Sequence, residues 1–150
     1  TFIDMDAYIE QKTGTGITHI FELEGEAGFR QREAAALAEI LASDNQVIAT
    51  GGGSVLLDAN RELMKRRGLV LYMHIPPEMQ LQRLLNDRKR PLLQTGDRAE
   101  RLQQLAAVRN PIYETCADIK VDISRMPMSR IRPYLLQTLL NQGMSNNTHA

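Results

Sequence analysis

Asp4-Met5-Asp6 sets two carboxylates two residues apart at the end of a short apolar run containing Phe2 and Ile3. Side chains at i and i+2 of a strand share a face, so the pair reads as two acids converging beyond a strand's carboxyl end. Such acids suit magnesium-linked work and acceptance of a hydroxyl proton. The same acids also read as solvated strand-end charges or as the N-cap of a helix over residues 7–12. Gly51-Gly52-Gly53 follows the run QVIAT, where bare backbone can approach a ligand and offer N–H donors, or simply make a tight turn. Arg30 lies one helical turn before Glu33, either a planar fork for a carboxylate oriented by an acid or an ordinary surface pair. Arg90, in Arg90-Pro91-Leu92-Leu93, and Arg109, in Arg109-Asn110-Pro111-x-Tyr113, are cations of the sort that neutralise a migrating phosphoryl group. Their plain alternatives are a solvated loop and a proline kink.

Four apolar runs must position these groups: the opening one and residues 46–50, 69–75 and 118–123. The second and third are nearly continuous, as buried parallel strands are. Helical patterns lie between and after them, over 30–43, 58–67, 77–86, 97–116 and 129–141, with Pro111 placed to kink or split the fourth. Strands alternating with helices predict βαβ units and a three-layer α/β fold. Residues 87–97 mix charge, Pro and Gly in the manner of a mobile lid, and 143–150 read as a frayed tail, leaving a single domain over 1–142.

The balance of 18 basic against 18 acidic residues argues against a dedicated nucleic-acid or membrane-surface binder. The charge is uneven along the chain. Residues 1–45 hold nine acids and three bases, whereas 81–110 hold seven bases and three acids, compatible with an acidic lobe and a basic, anion-facing segment. Cys116, the single cysteine, precludes an internal disulfide, fits a reducing cytoplasm and reads as a small buried hydrophobe. His19, His74 and His149 show no ligand spacing; His19 is expected to pack on a helix ending near Phe21.

In order and spacing, FIDMDAYIE, IFELEGEAGFRQRE, VIATGGGSV, RKRPLL and RNPIYETCAD closely resemble shikimate kinase from residue 1 to about residue 123. The resemblance implies a P-loop kinase fold of the nucleoside-monophosphate-kinase type, with parallel sheet order 2-3-1-4-5. It also implies transfer of the γ-phosphoryl of ATP to the 3-hydroxyl of shikimate, for aromatic amino-acid biosynthesis, by a cytoplasmic monomer. Carried over, Asp6 would meet the shikimate hydroxyls and act as base, and Asp4 would touch Mg2+ through water. Arg30 and Arg109 would clamp the carboxylate, Gly51, Gly52 and Gly53 would close on the ring hydroxyls, and Phe21 and Phe29 would wall the pocket. Arg90 would swing onto the ATP phosphates, with Arg83 and Arg125 as further nucleotide contacts.

The family's Gly-x-x-Gly-x-Gly-Lys-Ser/Thr loop occurs nowhere in the 150 residues. The sequence opens at Thr1 and reads as a chain whose beginning, with strand 1, has been removed, so this piece is expected to be inactive alone. Another small-metabolite kinase, such as gluconate kinase, and a non-catalytic shikimate- or partner-binding module are the rival readings.

Overall fold

The computed structural model describes residues 1–85 and 98–146; the candidate lid at 87–97, with Arg90, lies outside them. In chain order the elements are β1 (Phe2–Asp4), α1 (Met5–Thr13), α2 (Ile17–Ile40), β2 (Val47–Ala49), a 3-10 turn (Ser54–Leu56) and α3 (Asp58–Arg67). They continue with β3 (Leu71–His74), α4 (Pro77–Leu85), α5 (Arg98–Cys116), β4 (Ile119–Asp122) and α6 (Met128–Asn146). β1 pairs parallel with β2, Ile3 opposite Ile48, and β3 pairs parallel with β4, Met73 opposite Val121. Parallel neighbours need long crossovers, which α1 with α2, and α4 with α5, supply. Among the described residues the strands form two parallel pairs, β1 with β2 and β3 with β4.

Contacts group the described residues into two compact units. The first comprises Thr1–Val70 with Arg109–Asp118. Its core gathers Met5, Leu37, Ile40, Val55, Met64 and Cys116, joined by a second cluster of Ile9, Ile20, Phe29 and Ala36. Burying a side chain such as Met5 contributes about 1.5–3 kcal/mol. Cys116 is 1% exposed, and burial pushes its thiol pKa up, in keeping with a structural rather than nucleophilic role. The second unit holds β3 and β4, with Ile119, Val121 and Ile123 packed against Leu71, Ile75, Ile131 and Leu135. β4 alternates, its Lys120 and Asp122 facing outward. Among the described residues no helix is long and apolar enough to cross a membrane.

Four expectations change. The helix expected at 30–43 begins thirteen residues earlier and merges with the short one before it, so α2 covers 24 residues with one break at Gly25 (φ 67°, ψ −175°). Arg32 spans that break with two bonds to Glu24, at 2.7 and 2.6 Å. His19 is exposed beside Glu22, at 3.5 Å, because the buried stripe of this turn runs through Ile20 instead. Pro111 does not split α5. Ile112, Tyr113 and Cys116 pack into the first unit's core, and that burial holds the turn a proline weakens. Finally, α6 runs to Asn146, past the tail boundary at 143, since one glycine in a helix costs only about 1 kcal/mol relative to alanine.

Glu39 ties α1 to α2, accepting from Lys12 and, at 2.9 Å, from Tyr8 Oη. Lys12, followed by Tyr8, holds the Glu39 carboxyl below its ordinary 4.5, and Arg32 does the same for Glu24. Because the folded values are depressed, the stabilisation is present above the unfolded value and is lost as pH falls through the folded one. The melting temperature is therefore expected to drop between about pH 5 and pH 3, with a shallower slope in Glu39→Gln. A slope identical to that of the parent would remove Glu39 as a contributor.

Candidate active site

The Gly51–Gly53 loop leaves β2 and runs straight into the 3-10 turn, and functional side chains crowd each of its three glycines. A Cβ on Gly51 would lie 3.1 Å from Glu33 Oε1 and 3.8 Å from Asp6 Oδ1. One on Gly52 would lie 2.9 Å from Tyr113 Oη and 3.4 Å from Arg109 Nη1, and one on Gly53 would overlap the Arg30 guanidinium. Gly53 itself has an ordinary backbone (φ −88°, ψ −9°), so it is the neighbouring arginine, not the turn, that demands glycine there.

The two acids do not converge as strand neighbours. β1 ends at Asp4, which becomes the N-cap of α1, its Oδ1 accepting from Ala7 N at 3.1 Å. Asp6 sits in the first turn of α1, and residues two apart on a helix face different ways. Helix geometry thus carries Asp6, without Asp4, to the glycine loop.

Arg30 and Glu33 are not a surface pair. Glu33 is 1% exposed and the Arg30 side chain 16%. Arg30 Nη1 donates to Glu33 Oε2 at 2.7 Å, while Ser54 Oγ donates to Glu33 Oε1 at 2.7 Å. Arg30 Nη2 reaches the exposed Glu26 at 3.4 Å, and Arg30 Nε is buried with no hydrogen-bond partner among the described residues. The Arg30 guanidinium lies 5.3 Å from the centre of the Phe29 ring, which in turn lies 4.5 Å from that of Phe21. Phe29, at 4% exposed, is core beneath the arginine more than open wall, whereas Phe21 is half-buried.

Arg109 and Tyr113, one turn apart on α5, complete the surround. Tyr113 Oη donates to Gly52 O at 2.6 Å, pinning the loop across 61 residues of sequence. Ser54 and Tyr113 stand within the motifs, yet the motifs assign neither a role. The signal for Tyr113 was its i+4 spacing from Arg109; Ser54 offered only its place after the glycines. The result is two guanidinium groups, an exposed carboxylate and bare backbone around one loop, an arrangement suited to a small hydroxylated carboxylic acid.

In the second unit, Arg83 Nη2 donates to Ile123 O at 3.1 Å and to Met126 O at 3.5 Å, bracing the loop after β4. Arg125, exposed in that loop, lines an open cleft of about 1100 Å³ with Pro76, Met79, Ser124 and Tyr134. Ser124 donates to Asp122 and depresses its carboxyl pKa.

The shikimate kinase family model matches residues 1–140. The chain belongs to the shikimate kinase family. It is 52% identical over 121 residues to the shikimate kinase of Halorhodospira halophila, covering 81% of this chain and 68% of that one. To the shikimate kinase of Thiobacillus denitrificans it is 50% identical over 129 residues, covering 86% and 70%. The solved shikimate kinase from Acinetobacter baumannii in complex with shikimate superposes with a TM-score of 0.85 at 41% identity, covering 97% of this chain and 79% of that one. The α/β fold is accordingly that of the P-loop kinases.

Shikimate kinases are transferases that use ATP with Mg2+. Mg2+ characteristically takes one or two carboxylates plus waters and phosphate oxygens. The exposed Asp4 carboxylate, with only Oδ1 engaged at the cap, fits that need, and the described residues hold no group of three or more His, Cys, Asp or Glu suited to a metal cage. For ATP the fit is partial: Arg125 is exposed on a cleft, Arg83 is engaged with backbone, and no Gly-Lys-Ser/Thr cradle is among the 150 residues.

Proposed function

We propose that this chain carries the shikimate-binding half of an ATP-dependent shikimate kinase, with the Gly51–Gly53 loop and the side chains crowding it as the substrate site. The observation that carries this reading is the closeness of that loop to Arg30, Arg109, Glu33 and Asp6 together. In this reading Arg30 and Arg109 hold the shikimate carboxylate, and the unpartnered Arg30 Nε is one donor left for it. The loop backbone meets the ring hydroxyls, with Phe21 at the edge. Asp6 accepts the proton of the attacking 3-hydroxyl, a role that asks first for reach. Asp4 would hold Mg2+ through water, and the ion would supply neutralisation of charge on the transferred group.

Arg125 serves the nucleotide from its cleft, Arg83 supports that loop from beneath, and Arg90 contributes from outside the described residues. The same reading makes the enzyme a single domain working as a cytoplasmic monomer on a small molecule. The zero net charge supports the absence of a polyanionic partner.

Calorimetric titration tests it. Shikimate is expected to bind the 150-residue chain with measurable heat, and gluconate at the same concentrations not to bind. A coupled assay should show shikimate-dependent ATP turnover near background, because the phosphate cradle is not among these residues. Absence of shikimate binding would refute the site, and normal turnover would refute the need for the cradle.

A further inference from the structure

Glu33 is a carboxylate almost without water, so each of its oxygens needs its own partner, and each has one. Oε2 takes Arg30 Nη1 and Oε1 takes Ser54 Oγ, both at 2.7 Å. Ser54 is 0% exposed and is itself fixed twice: its N donates to Gly51 O at 3.1 Å, and its O accepts from Asn60 Nδ2 at 2.9 Å. Asn60, 3% exposed, stands in the first turn of α3. A continuous chain therefore runs from α3 through Ser54, at the start of the 3-10 turn, to α2, and it ends on the guanidinium whose Nε has no partner among the described residues.

We infer that Ser54, backed by Asn60, is a positioning residue for substrate selection: by locking the Glu33 carboxylate it aims Arg30, and it thereby sets the preference for a substrate that carries a free carboxylate. The inference rests on the proposed site but assigns it a specificity device beyond the residues that touch substrate. Without the Ser54 hydroxyl, Glu33 Oε1 loses its donor and the carboxylate turns to seek another. Arg30, bonded to the other oxygen, turns with it. The Ser54 hydroxyl bonds to Glu33 and not to the loop, whose tie to Ser54 is through the backbone N and survives its loss, so a ligand lacking the negative charge should be indifferent to that hydroxyl.

The test is calorimetric titration of the full 150-residue chain with shikimate and, separately, with its methyl ester, which has the same ring and no carboxylate charge. In Ser54→Ala the dissociation constant for shikimate is expected to rise about tenfold while that of the ester holds, so the preference for the acid falls about tenfold. Asn60→Ala should shift the preference the same way by a smaller factor. The ratio of the two constants, read from one preparation, does not depend on what fraction of a variant is folded. Equal weakening of both ligands, or no change in either, would overturn the inference, since Ser54 would then only shape the pocket or do nothing for it. Arg30→Ala separates the two levels. If it abolishes the preference and Ser54→Ala does not, only the positioning role fails; if it leaves both ligands unaffected, the proposed site fails and the positioning role falls with it.

Discussion

Replacing Arg30 with alanine is expected to weaken shikimate binding by about a hundredfold, with any residual nucleotide affinity changed by less than about threefold. The size of the effect follows from burial. The Arg30 side chain is 16% exposed and rests over Phe29, so its attraction for a carboxylate is little screened by water. A surface arginine would be worth far less. The substitution also strands the Glu33 carboxylate, 1% exposed, with Ser54 as its remaining hydrogen-bond partner among the described residues, so some loss of stability accompanies the loss of binding. A double variant, Arg30→Ala with Glu33→Gln, removes the stranded charge. It should recover most of the melting temperature and none of the affinity. Equal losses for shikimate and nucleotide, measured by calorimetry on one preparation, would count against a carboxylate-holding role.

Gly53→Ala should be nearly as damaging, for a purely steric reason. The backbone at Gly53 suits any residue, but its new methyl would occupy the space of the Arg30 guanidinium. Because that group is the end of a long side chain, the arginine yields rather than the loop, and the fold survives with Arg30 displaced from Glu33. We expect shikimate affinity to fall at least about thirtyfold while the melting temperature changes modestly. Gly68→Ala is the control, since a Cβ there would meet only Met64 O, at 3.9 Å. It should leave binding intact. Wild-type affinity in Gly53→Ala would mean that Arg30 does not depend on the bare loop.

Much of this was legible in the residues themselves. The alternation of apolar runs with helical patterns announced parallel βαβ pairing, because period and run length depend on local chemistry alone. The order of the DMD, GFR, GGG, RPLL and RNP segments pointed to the family, whose model matches residues 1–140. The three glycines stood out as a place where backbone meets something, although not what it meets. Local patterns misled wherever burial decided the outcome. Pro111 sits within one continuous helix because Ile112, Tyr113 and Cys116 are anchored in a core formed by distant residues.

By itself, then, the sequence determined the parallel α/β plan, the family, and the residue types available for carboxylate and hydroxyl recognition. Only the tertiary structure decided how those residues are used. Asp4 caps a helix while Asp6 reaches the loop, because the strand ends at Asp4, two residues short of what an i, i+2 pair requires. Arg83 braces a loop 40 residues away at Ile123. The Arg30–Glu33 pair, identical in spacing to countless solvated pairs, is buried because Ser54, 21 residues beyond Glu33, folds against it. Spacing specifies which side chains share a helix face; whether water reaches them depends on what the rest of the chain lays over that face, and dielectric surroundings set the strength of a charge.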